Sequence, residues 1–136
     1  MDFMRSIFIA ATGLRSQSAR MRIISENIAN ANSTAQTPNA DPYRRRVPTF
    51  SSNFDRELQA TVVSMGNVRT DQSDFVVRNE PGHPAADAQG NVKYPNVNTL
   101  IETVDMREAQ RSYEANLNVI TATRRMIART IEILKA

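Results

Sequence analysis

The sequence predicts a mainly α protein in which long N- and C-terminal helices pair as a coiled coil around a small β-rich, extended middle segment. Three observations carry this expectation. Apolar residues recur every seven positions near both ends of the chain. No Pro falls within residues 1–32 or 97–136. The stretch between them, residues 33–96, holds the Pro residues, most of the Gly and only short apolar runs.

In the first segment, 1–32, Ile7, Leu14, Met21 and Ile28 form a seven-residue ladder, widened by Phe3, Met4, Ala10, Ala11 and Ile24. Such a repeat keeps one helix face against a partner over many turns. Arg5, Arg15, Arg20, Arg22 and Glu26 stay off the ladder. A helix of about 30 residues reaches ~45 Å, more than a small globular domain needs. It is expected to stop near residues 30–34, Asn-Ala-Asn-Ser-Thr, because Asn tolerates the left-handed conformation and Ser and Thr compete for backbone hydrogen bonds. Pro38 and Pro42 then prevent its resumption.

The middle segment shows strand-like runs at 46–50, 58–64, 67–70 and 75–78, and Asp71-Gln72-Ser73 is placed to close a hairpin between the last two. Pro81-Gly82-His83-Pro84 and residues 87–91 read as turns. The third segment, 97–136, starts behind Pro95, and Thr99 with Glu102 fits a capping box. Met106, Tyr113, Ile120, Ile127 and Leu134 then make a second ladder, with Ala109, Leu117 and Ile131 beside it. Arg124, Arg125, Arg129 and Lys135 favour the C-terminal end of the helix dipole.

Two helices packed on each other cover one face apiece. Phe3, Phe8, Ile24, Val104, Val119 and Ile133 lie outside the ladders and would stay partly exposed in a lone hairpin. Long exposed apolar stripes mark association surfaces, and a contact repeated head to tail builds rings or open helices.

Composition narrows the function classes. The 136 residues include no Cys, which excludes disulfides, thiolate nucleophiles and Cys-ligated metals. The single His, His83, sits between Gly82 and Pro84 and reads as a turn residue; no catalytic, cofactor-binding or metal-binding set is expected. Asp87, Gln89 and Asn91 echo a calcium loop, but Val92 stands where that motif needs Gly. The net charge of +3 is spread along the chain. A phosphate-tracking surface concentrates its charge, so this spread counts against the alternative, a basic coiled-coil nucleic-acid-binding protein, which is motivated by the basic balance and by Tyr43 beside Arg44-Arg45-Arg46. The apolar run 7–11 is too short for a secretory peptide, and no stretch is long enough for membrane insertion.

Residues 21–32, Met-Arg-Ile-Ile-Ser-Glu-Asn-Ile-Ala-Asn-Ala-Asn, carry Asn27, Asn30 and Asn32 and resemble the N-terminal signature of the flagellar basal-body rod protein family. Asp41-Pro42-Tyr43-Arg44-Arg45-Arg46, Pro81-Gly82-His83-Pro84-Ala85-Ala86-Asp87, Tyr94-Pro95-Asn96-Val97-Asn98 and residues 106–120 resemble further elements of its proximal rod members, in the same order. The resemblance implies a structural, non-enzymatic subunit of a helical tube that spans the periplasm. It implies export by the flagellar type III apparatus without cleavage. Implied partners are further copies of this chain, other proximal and distal rod proteins, and the MS ring and export gate at the base. It further implies that Asn27 and Asn30 bond an adjacent subunit and that Arg44–Arg46 meet carboxylates of neighbours. Phe50-Ser51-Ser52-Asn53-Phe54 resembles the Phe-x-x-x-apolar export-gate motif of such substrates.

An Asp at Leu14 or Ile120 would place an unpaired carboxylate in the ladder, which is costly to bury. Loss of incorporation into the polymer is expected for either change; normal rods and motility in a strain carrying one would remove the ladder from the assembly.

Overall fold

A computed structural model describes residues 2–38 and 40–135. Its elements run α1 (Phe3–Ala29), β1 (Arg46–Val47), β2 (Phe50–Asp55), β3 (Ala60–Met65), β4 (Arg69–Thr70), β5 (Val76–Asn79), β6 (Asn91–Tyr94) and α2 (Thr99–Lys135). The protein is mainly α, with one long helix near each end and a small β-containing middle.

Both helix starts and the end of α1 have identifiable causes. Asp2 caps α1, accepting from the Arg5 N–H at 3.1 Å. At the other end the Asn30 side chain donates to the Glu26 carbonyl at 2.8 Å, and tight turns follow from Ala31 to Ile28 and Ser33 to Asn30. The cap of α2 is Asn98, whose Oδ1 accepts from the Leu100 N–H at 3.0 Å. This corrects the capping-box expectation: Thr99 is already helical, and the Glu102 carboxylate is turned inward, away from the N-terminal N–H groups.

Helix burial follows heptad spacing with a different emphasis from the apolar ladders. Ile7, Leu14 and Met21 are half-buried, whereas Ala10 and Ile24, each three residues after a ladder position, are buried. In α2 the residues four before the first four ladder positions are buried (Glu102, Ala109 and Thr123) or half-buried (Asn116), while Thr130, four before Leu134, is exposed. Apart from Ile23 and Ile24 on α1, the most buried helix positions are small or polar, and the apolar ladders flank them; Ile24, expected to stay partly exposed, is buried.

The chain divides into two compact units. One holds α1 up to Met21, the β2–β3 ribbon and α2 from Arg107. In it the ribbon is antiparallel, from Phe50↔Met65 to Asp55↔Ala60, and Ser16 Oγ on α1 donates to the Val63 carbonyl at 3.3 Å. Nothing in the sequence marks the strand at 50–55, because its Phe-Ser-Ser-Asn-Phe run is exposed throughout and carries no burial alternation. Gly13 lets the Asn116 side chain approach closely; a Cβ there would sit 2.9 Å from Nδ2. That contact and the Arg20–Glu108 ion pair at 3.5 Å set this portion of the two helices antiparallel. α1 begins only ten residues before Gly13, so it cannot cover α2 beyond about residue 126. Residues 128–135 are all exposed, and Leu134, the last ladder position, is 80% exposed.

The second unit comprises residues 22–48 and 68–106. β1 pairs antiparallel with β4 and β5 with β6, so the hairpin expected between 67–70 and 75–78 is corrected: each run has a partner elsewhere. The Asp71–Ser73 turn does form, with Asp71 Oδ1 accepting from the Ser73 N–H at 2.9 Å. The turn at 87–91 forms as expected; the Asp87 carboxylate accepts from the Gln89 and Asn91 N–H groups at 2.9 and 2.8 Å. Its last corner is Gly90, at φ 82° and packed on Pro81.

Gly90→Ala would combine a strained φ with a Cβ 3.0 Å from Pro81 Cγ. Stability should fall by about 1–3 kcal/mol, read from the urea midpoint; an unchanged midpoint would show that the turn relaxes freely.

Candidate assembly site and its internal latch

Asn27 is the centre of the second unit. Only 1% exposed, its side-chain amide makes four hydrogen bonds. Nδ2 donates to the Arg46 carbonyl at 2.8 Å and to Glu102 Oε2 at 3.0 Å. Oδ1 accepts from the Tyr43 hydroxyl at 2.8 Å and from the Arg46 N–H at 2.9 Å. An amide has two donors and two principal lone pairs, so Asn27 is saturated. It ties three chain segments together: the end of α1, the strand at 46 and the first turn of α2.

The opposite wall is Glu102, also 1% exposed. Its Oε1 accepts from Arg45 Nε at 2.5 Å, while Oε2 accepts from Asn27 Nδ2. The same guanidinium lies 3.7 Å from Asp71 and 3.7 Å from Asp105. Burial disfavours the charge on Arg45, but the Glu102 bond and the three carboxylates outweigh it and hold its pKa above the ordinary value. Burial raises the Tyr43 pKa against the opposing charge of Arg46, keeping the hydroxyl a donor to Asn27. Asn96 completes the set: Oδ1 accepts from the Arg45 N–H at 2.8 Å, and Nδ2 donates to the Asp71 carbonyl at 3.1 Å and to Ser73 Oγ at 2.9 Å. Pro42 is buried beside this segment.

The Arg44–Arg46 triplet is therefore engaged within the chain. Arg44 stacks 4.1 Å over the Phe75 ring and donates to the Ser73 carbonyl at 3.2 Å. Arg45 is held by three carboxylates, and Arg46 pairs with Glu26 at 3.0 Å. The four hydrogen bonds of the Asn27 amide are all made within the chain, which corrects the expectation that it bonds an adjacent subunit, and each arginine of the triplet has a partner within the chain. The second point also removes the main motive for a nucleic-acid partner.

The remaining motif residues serve turns and ends. Asn30 closes α1, and Asn32 is exposed. His83 Nδ1 accepts from the Ala85 N–H at 3.1 Å, leaving Nε2 to face the Thr34 hydroxyl at 3.4 Å. Gly82 and Pro84 are exposed around it, and Pro95 is buried after β6. Tyr94 donates to Glu80 at 3.0 Å and carries Arg78 over its ring at 4.4 Å. Among the described residues no group of three or more His, Asp and Glu side chains is placed to hold a metal ion.

Of the residues the sequence singles out, Asn27, Tyr43, Arg45 and Asn96 converge; Glu102 and Asp71, which the sequence suggests for a cap and a turn, complete the latch. A carboxylate in the row shared with Ala109 and Thr123 was the available signal for Glu102. The ladder residues Met106, Tyr113, Ile120 and Ile127 are half-buried and Ile28 is 37% exposed. Phe50 and Phe54 project from β2 at 41% and 60% exposure.

Comparison with known proteins adds the family context. Residues 7–35 match the family described as flagella basal body rod protein, and residues 88–133 match the family described as flagellar basal body rod FlgEFG protein C-terminal. The chain is 56% identical over 128 residues to a flagellar basal-body rod protein FlgC of Agrobacterium fabrum, covering 94% of this chain and 92% of that one. The like-named protein of Bacillus subtilis is 35% identical, covering 99% of this chain and all of its own length. That of Salmonella typhimurium is 34% identical across 92% of each.

Removing one side of a buried, hydrogen-bonded charge pair costs about 3–5 kcal/mol. Glu102→Ala should approach that loss, and Asn27→Ala should cost roughly 2–4 kcal/mol by leaving several buried groups unpaired. Asn30→Ala, which removes side-chain hydrogen bonds to Glu26 and Ser33, should cost less than about 1 kcal/mol. Equal losses at positions 27 and 30 in urea unfolding would refute the latch. The Ser73 N–H and hydroxyl, then Arg45, lower the pKa of Asp71. Its folded value lies below its unfolded one, so its contribution is present above about pH 4 and disappears as pH falls through the depressed folded value. Asp71→Asn should flatten this part of the acid limb of a stability–pH profile.

Proposed function

This chain belongs to the FlgC family of flagellar basal-body rod proteins, and from that premise we propose that its two helices pair as a coiled coil and polymerise into the tubular drive shaft of the proximal rod. The family membership makes it a structural subunit of the flagellar rod, located in the basal body and assembling with other rod components; it is not an enzyme. The nucleic-acid alternative is set aside.

The observation that carries the assembly reading is the apolar surface the helices leave uncovered. Phe8 is 50% exposed, Val104 58%, Val119 47% and Ile133 76%. Such side chains along both helices suit burial against neighbouring subunits better than permanent hydration. In this reading the ladders Ile7, Leu14, Met21, Ile28 and Met106, Tyr113, Ile120, Ile127, Leu134 supply the helix seam, and repeated contacts carry torque along the shaft. The latch fixes the loop segments so that the helix surfaces meet neighbours in one register.

The MS ring and the export gate are the proposed neighbours at the base, with export through the flagellar type III apparatus. Phe50 and Phe54 support the export step as two aromatic rings four residues apart, both open to a receptor on an exposed strand. The ring spacing alone suits a shallow apolar groove.

The test is electron cryo-microscopy of basal bodies from cells producing this chain. Density for it is expected in the proximal rod, with both helices packed against other subunits. Basal bodies with complete rods that lack the chain would overturn the reading. Phe50→Ser with Phe54→Ser should leave the protein folded yet reduce its secretion; unchanged secretion would release the pair from the export role.

A further inference from the structure

The two edges of the β2–β3 ribbon differ. The Gly66 N–H donates to the Thr49 carbonyl at 2.7 Å, which makes Phe50↔Met65 a non-hydrogen-bonded pair of the antiparallel ladder. Bonded and non-bonded pairs alternate along such a ladder. Phe50, Ser52 and Phe54 on β2, like Val63 on β3, therefore turn their N–H and C=O groups outward, away from the other strand. On the β3 side the Ser16 hydroxyl meets the Val63 carbonyl at 3.3 Å. Among the described residues no strand pairs with the outer edge of β2, and residues 50–54 are exposed throughout. Open sheet edges are ordinarily blunted by a charge, a Pro or a bulge. Residues 50–54 hold no charge and no Pro, and the register runs unbroken from Phe50 to Asp55.

We propose that this edge pairs with the β2 edge of a second copy, antiparallel about a two-fold axis at Ser52. Residues 50–54, Phe-Ser-Ser-Asn-Phe, read nearly the same in both directions. Pairing about Ser52 sets Phe50 against Phe54 of the second copy at both ends and Ser52 against its own counterpart. These are the residues whose backbone groups face outward, so each pair exchanges two N–H···O bonds. Cross-strand ring pairs add to the ladder. Charge permits the match: residues 47–54 carry none, and Asp55 falls opposite Thr49 of the second copy. A copy of β2 matches rings at both ends by symmetry, which a foreign strand need not do. Five paired residues bury far less than the roughly 1,200 Å² of a stable dimer, so the contact is weak and concentration-dependent. A two-fold contact closes on itself and cannot repeat head to tail along a tube, so it belongs to the chain outside the rod. It also covers the strand that carries Phe50 and Phe54, leaving only the monomer to present them. That consequence rests on the export role of the pair; the dimer does not.

The test is sedimentation velocity of the full chain at rising concentration, where a growing dimer fraction is expected. Ser52→Pro removes an outward N–H that the β2–β3 ladder does not use. It should weaken the dimer at least about tenfold, through two lost hydrogen bonds at the axis, while far-UV circular dichroism remains that of the parent. Both rings stay in place in this variant, so its secretion should persist, which separates the dimer from the export role. The chain has no Cys, so Ser52→Cys reports the contact directly. At the axis the two Cα atoms lie about 5.5 Å apart, within disulfide reach. Oxidation should link this variant to itself faster than the exposed control Gln72→Cys. A dimer that Ser52→Pro leaves intact, or cross-linking at 52 no faster than at 72, would overturn the proposal. So would a chain that stays monomeric throughout, including the case in which only a foreign extended peptide adds to the edge.

Discussion

The side-chain amide of Asn27, wedged against the buried carboxylate of Glu102, is the interaction on which the order of the second unit depends. Neither group could be buried alone: an unpaired amide is expensive in an apolar setting and an unpaired carboxylate more so. Each is supplied with partners from segments distant in sequence, Tyr43, Arg45 and Arg46. A polar cluster of this kind is intolerant of near misses, because every displaced partner leaves another group unsatisfied. It thereby selects one path for the chain leaving α1, where the short β1–β4 and β5–β6 pairings have little hydrophobic surface to do so.

That arrangement explains a division of labour on the helices. Closely packed positions are small or polar: Ala10, Gly13 and Ser16 on α1, Ala109, Asn116 and Thr123 on α2. Small residues permit close approach, and polar ones add direction through contacts such as Ser16 with the Val63 carbonyl. Apart from Ile23 and Ile24, the large apolar side chains lie on the flanks and the outer faces. In a self-contained protein this would be a poor use of hydrophobic surface. In a subunit that completes its packing against neighbours it is economical, and membership of a rod family supplies those neighbours.

The internal engagement of the arginine triplet changes how such motifs should be interpreted. Consecutive basic residues beside a tyrosine suggest a surface that waits for an anion. Here the three guanidinium groups diverge, one onto an aromatic ring, one into a carboxylate pocket and one across to α1. Alternation of side-chain direction along an extended segment accounts for this.

The sequence by itself determined the class of this protein. Heptad spacing located both helices to within a few residues, because periodicity and chain-breaking residues act locally; the ordered motifs identified the family, and Asp71, Asp87 and Gly90 marked their turns through short-range backbone chemistry. Only the tertiary structure decided which rows lie innermost, that 67–70 pairs with β1 and 75–78 with β6, and that Glu102 belongs to Arg45 and Asn27 rather than to a helix cap. These choices join residues from 12 to 75 positions apart. Their energies come from desolvation and mutual satisfaction of polar groups, which no local pattern of residue types can encode.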